Sequence, residues 1–104
     1  MKQIIDGKLY NTDTAICIGE YWNNMSRSDS SYLHEALYKT EDGVYFLAGI
    51  GGAKTKYAIQ CENNSWEGGK KITPMHHNDA KEWAETHLTV KGVETEFGSE
   101  IEDA

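Results

Sequence analysis

The sequence predicts an α+β domain, a small antiparallel β-sheet packed against one main α-helix. Three observations predict it. Two aromatic-rich runs, residues 32–39 and 44–49, flank Thr40-Glu41-Asp42-Gly43, whose Asp-Gly pair favours the positive backbone angles of a hairpin turn. Ala80, Trp83, Ala84, His87 and Leu88 recur at the offsets that line one helical face. The 104 residues also include three Trp, six Tyr, two Phe and ten Gly with a single Pro, as expected of short strands and turns around large core side chains. A chain of this length holds one core, so residues 1–104 read as a single domain.

Taken in order, Gln3-Ile4-Ile5-Asp6-Gly7-Lys8-Leu9-Tyr10 places Asp-Gly between two short apolar stretches and predicts a β-hairpin. Asn11, Thr12 and Asp13 offer side-chain oxygens to a first helical turn, and Ala15, Ile16 and Ile18 follow. A short N-terminal helix ending at Gly19 is expected there. Residues 20–24 read as extended, and residues 25–30 as a polar loop. In the central hairpin, Val44, Phe46 and Ala48 share one face while Tyr45 and Leu47 share the other, so both faces should be covered, one of them by a helix. Tyr57-Ala58-Ile59 is extended or one helical turn, residues 63–69 are a loop, and Lys71-Ile72-Thr73 is a short strand before Pro74. His77-Asn78-Asp79 supplies a cap for the helix over residues 79–88, which Trp83 anchors. Lys81 and Glu85 form an i, i+4 pair worth a few tenths of a kcal/mol. Val93, Phe97 and Ile101 lie four apart and permit a short C-terminal helix, against which Gly98 counts.

The net charge of −7 is unevenly placed. Residues 79–104 hold eight acids, Asp79, Glu82, Glu85, Glu94, Glu96, Glu100, Glu102 and Asp103, against only Lys81 and Lys91. Such a surface repels a phosphate backbone, so direct nucleic-acid binding is not expected. A basic protein groove is the natural partner instead. Acidic surplus also serves plain solubility. No apolar run reaches the roughly 18 to 20 residues of a membrane span, and Asp6 interrupts any signal-peptide core, so a cytoplasmic protein with no membrane partner is expected.

Other constellations weigh little. Cys17 and Cys61 lack CxxC spacing and read as small, partly buried apolar groups rather than a disulfide. The segment from Gly49 to Thr55 follows a strand and ends in Lys-Thr like a phosphate loop, yet Ala53 and Ala48 stand where that loop needs glycines and no helix follows. The bland reading is close backbone approach at a strand end. His34, His76, His77 and His87 do not converge at zinc-ligand spacing, no catalytic pair is readable, and no metal, cofactor or enzymatic activity is expected.

Residues 1–15, then Glu35-Ala36-Leu37-Tyr38-Lys39-Thr40, residues 51–58, Ile72-Thr73-Pro74 and residues 80–85 resemble a family of short proteins carried by Gram-positive bacteria, their phages and mobile elements. The resemblance covers about residues 1 to 100. Small proteins of this kind include anti-CRISPR inhibitors, and the resemblance implies such a role here. The matching residues read as turn glycines, a cap and a core Trp, so it implies a scaffold and transfers no binding residue.

Charge and resemblance together lead to the expectation of an inhibitor that binds a Cas effector, the single-protein Cas9 type being favoured. The surface expected to do so comprises Glu82, Glu85, Glu94, Glu96, Glu100, Glu102 and Asp103. It would compete as a nucleic-acid mimic for the basic channel that takes guide RNA and target DNA. Two alternatives stand beside it. One is an acidic antirestriction or host-takeover binder. The other is a homo-oligomeric regulatory module, a homodimer for example, that buries Tyr21, Trp22 and Trp66 against a twin chain.

Overall fold

The computed structural model describes residues 1–104. An N-terminal hairpin pairs β1 (Lys2–Ile5) with β2 (Lys8–Asn11), and its turn residues Asp6 and Gly7 have φ of 52° and 78°. Two successive positive angles are what an Asp-Gly turn is suited to supply. Next come β3 (Ile16–Trp22), β4 (Leu33–Lys39) and β5 (Tyr45–Gly51), then a two-residue pair, β6 (Ile59–Gln60) with β7 (Trp66–Glu67), and finally β8 (Gly69–Met75). Two helices end the chain, α1 (His77–His87) and α2 (Val90–Phe97), the second running into a 3-10 turn at Gly98–Glu100. The fold is α+β, as expected.

Strands β3, β4, β5 and β8 form one antiparallel sheet in that order. In its central register Leu37 faces Leu47 and Glu35 faces Gly49. Side chains alternate across the sheet, and both faces are used. Leu37, Tyr45 and Leu47 pack with Ala80, Trp83 and Ala84 of α1 and with Val93 and Phe97 of α2. On the opposite face Phe46, Ala48 and Ile72 pack with Tyr10 of the hairpin, whose ring meets Phe46 edge-on at 5.4 Å. The sheet is therefore the middle of three layers, which is why β5 is apolar almost throughout.

The N-terminal helix is not present. Asn11 uses its capping chemistry on one turn only: its Oδ1 accepts from the Asp13 amide at 3.0 Å, and its carbonyl accepts from Ala15 at 3.1 Å. From Ile16 onward the chain pairs with β4 instead, Ile18 alone being skipped at a bulge, and tertiary pairing overrides the local signal. Gly19 does not stop a helix. It leaves room for Leu88, because a Cβ there would lie 2.6 Å from a Leu88 methyl.

Four further expectations change. Helix α1 begins at His77, with His76 at the N-cap and no side-chain cap bond. Lys81 reaches Glu100, at 3.9 Å, and not Glu85. Strand β8 starts at Gly69 and runs through Pro74 to Met75; it is an edge strand, where the missing proline N–H leaves no gap in the ladder. The C-terminal helix starts at Val90, capped by the Thr89 hydroxyl accepting from the Gly92 amide at 3.1 Å, and stops before Ile101.

Candidate protein-binding surface

The acids of the last quarter divide into two groups. Glu96 of α2 turns inward, where its Oε2 lies 2.8 Å from the Lys39 ammonium and accepts the Tyr45 hydroxyl. Its side chain is only 14% exposed. Burial pushes its carboxyl up, but the bonds from Lys39 and Tyr45 outweigh that and hold it below the usual range. The same burial, with the Glu96 carboxylate beside it, drives the Tyr45 phenol far above its ordinary value. Glu100 is engaged as well: the His77 ring nitrogen lies 2.8 Å from it and the Lys81 ammonium closes the other side. These two carboxylates tie α2 and its 3-10 turn to β4, β5 and α1.

Glu85, Glu94 and Asp103 behave differently. They come together around one open hollow of about 390 Å³ whose apolar part includes Leu88, Val90 and Ile101. Helix α1 supplies Glu85, α2 supplies Glu94, and the extended segment after the 3-10 turn supplies Asp103. Val90 is 77% exposed and Ile101 42%, so the hollow presents apolar surface rimmed by three carboxylates free of any ion pair. Glu82 and Glu102 are exposed outside the hollow. Of the seven expected residues, three are thus gathered, two stand apart, and Glu96 and Glu100 serve the fold.

The orientation of α1, and with it of Glu85, depends on a group the sequence reading passed over. Glu35 of β4 is 1% exposed, the one buried acid in the chain. Its Oε1 accepts the Trp83 indole N–H of α1 at 3.1 Å, and its Oε2 accepts the Tyr57 hydroxyl at 2.5 Å and meets the Lys56 ammonium at 2.7 Å. Burial pushes the carboxyl up, and these three donors more than reverse it, leaving Glu35 below the usual range. Tyr57 reaches Glu35 by lying across Gly49, where any Cβ would overlap its ring. The signal was in the alternation: Glu35 shares its strand face with Leu33 and Leu37, an inward position for a charge.

Protein-family models, curated proteins and solved structures all fail to match this chain. Its surface must therefore be read from its own chemistry. Of the aromatic residues considered for a twin chain, Tyr21 packs on the His87 ring at 4.2 Å, whereas Trp22 and Trp66 are 50% and 56% exposed. Both cysteines are free, and Cys17 is exposed rather than partly buried. No helix is long and apolar enough to cross a membrane.

Proposed function

We propose that this chain is a stoichiometric inhibitor that acts by binding a protein, with the hollow between α1 and α2 as its contact. The observation that carries the reading is the convergence of Glu85, Glu94 and Asp103 on exposed Val90 and Ile101 beside half-buried Leu88. Unpaired carboxylates around an apolar floor suit a partner segment that alternates basic and apolar side chains. Nucleic-acid grooves of large nucleases carry such basic surfaces, and an acidic protein seated there blocks the nucleic acid without chemistry. The resemblance to anti-CRISPR inhibitors directs the proposal to a Cas effector, with Cas9 first.

The test is a DNA-cleavage assay with purified Cas9, adding the protein before or after guide RNA and before or after target DNA. Inhibition confined to the early additions is expected, together with its loss in the triple variant E85K/E94K/D103K. Full cleavage at a large excess of the protein, or inhibition by the triple variant equal to that of the wild type, removes the reading.

A second reading is favoured by one specific observation. Strand β3 is a sheet edge that exposes Ile16 at 65% and Trp22 at 50% on either side of a bulge between Cys17 and Gly19, whereas the other edge, β8, carries Lys70, Lys71 and Pro74. A second copy pairing along β3 would make the homodimer, and light scattering on the purified chain distinguishes it.

A further inference from the structure

A second hollow, of about 720 Å³, lies at the opposite end of the strands from the Lys39–Glu96 pair, where Leu33, Gly51 and Gly69 stand in register. Three backbone segments meet there with no room for side chains between them. A Cβ on Gly52 would sit 2.3 Å from the Ser30 carbonyl oxygen, and one on Gly68 would sit 2.8 Å from that of Gly51. The glycines that failed as a phosphate loop thus bring the backbone of three segments to one place.

What surrounds that place is rich in donors. Arg27 and Lys70 line the hollow, and neither takes part in any of the molecule's ion pairs. The Arg27 guanidinium is steadied 5.2 Å above the Tyr32 ring centroid. The one carboxylate in the lining, Asp29, has an oxygen engaged by the Ser31 amide at 2.7 Å. Backbone amides of Ser30, Ala53 and Gly68, which also line it, have no backbone acceptor elsewhere in the chain. Tyr32, Ile50 and Ile59 add apolar surface. A chain of net charge −7 has therefore collected two cations outside any ion pair, and three amides without a backbone acceptor, around this hollow.

We propose that this hollow binds a phosphate ester of roughly nucleotide size. The phosphate sits between Arg27, Lys70 and the loop amides, because guanidinium, ammonium and backbone N–H donors suit its oxygens. The organic body lies over Tyr32, Ile50 and Ile59. The volume falls within the roughly 300 to 1,000 Å³ usual for small-molecule sites. No helix begins here, so the site relies on side-chain cations and loop amides and not on a helix dipole. The proposal is independent of the inhibitor reading and survives its failure.

The test is a titration of the isotope-labelled chain followed by amide NMR, with AMP, adenosine and inorganic phosphate as separate probes. AMP is expected to give saturable shifts at Arg27, Ser30, Ala53 and Gly68 that weaken with added salt. Inorganic phosphate should move the same amides, and adenosine should bind at least about tenfold more weakly than AMP. R27Q/K70Q should lose AMP binding while the remaining spectrum stays native; K70Q alone, at an exposed site, gives the same reading with less risk to the fold. Absence of saturable shifts at millimolar AMP, shifts confined to residues outside the hollow, equal affinity for adenosine, or wild-type binding by K70Q and by R27Q/K70Q each overturns the proposal.

Discussion

The Trp83 indole N–H on α1 donates to the Glu35 carboxylate on β4 at 3.1 Å, and both side chains lie below the surface. Tyr57 and Lys56 complete the set from a loop, so one carboxylate joins sheet, helix and loop. A buried charge that loses a partner leaves polar groups unsatisfied, which costs more than the bond contributes.

Trp83→Phe keeps most of the apolar burial and removes the N–H. It should lower stability by about 1 to 3 kcal/mol in urea denaturation, and Glu35→Gln should cost a similar amount. Wild-type stability in both would mean that the carboxylate does not organise the core.

Acid should loosen the fold in a definite direction. Glu35 and Glu96 both titrate below their ordinary 4.5 when folded, so the unfolded chain takes up protons first. Their stabilisation is fully present above that value and is lost as pH falls through the lower folded values. Thermal melting between pH 7 and 3 should show a falling midpoint in the wild type and a shallower fall in Glu35→Gln. Parallel curves would refute the assignment.

Two glycines should respond oppositely to alanine. At Gly49 a Cβ would lie 1.9 Å from the Tyr57 ring, so Gly49→Ala must displace Tyr57 from Glu35 and should cost about 1 to 3 kcal/mol. Gly98 has ordinary helical angles and open space, so Gly98→Ala should stabilise by about 0.4 to 1 kcal/mol. Chemical denaturation of the two variants checks both signs.

The acids should separate by role. Glu85→Lys, Glu94→Lys and Asp103→Lys are exposed and should each change stability by no more than about 0.5 kcal/mol. Glu96→Gln weakens bonds to Lys39 and Tyr45 and should cost about 1 to 2 kcal/mol. Comparable destabilisation in all four would mean that the hollow is part of the core and not a free surface.

The central hairpin, the first hairpin and the Trp83 helix were legible because each carries a local signature, an Asp-Gly turn or a 3.6-residue apolar stripe. Residues 16–19 misled because their partner, residues 37–39, lies a loop away and cap-like residues stand just before them. Division of the acids was illegible for a related reason: Glu94 and Glu96 are two positions apart on one helix and therefore point to different sides. Only the placement of Lys39 and Tyr45 beneath α2 shows which one is spent internally. Arg27 and Lys70 come together because β5 pairs on one side with β4, whose entry loop carries Arg27, and on the other with β8, which carries Lys70.

Glu35 is reached by Tyr57 from 22 positions downstream and by Trp83 from 48. During synthesis the ribosome releases the carboxylate long before it releases the indole. Without residues 69–87, β5 has no β8 beside it and Glu35 has no indole to receive, so burial of this charge depends on segments far apart in the chain. Contacts of such separation are the kind that slow the folding of a domain.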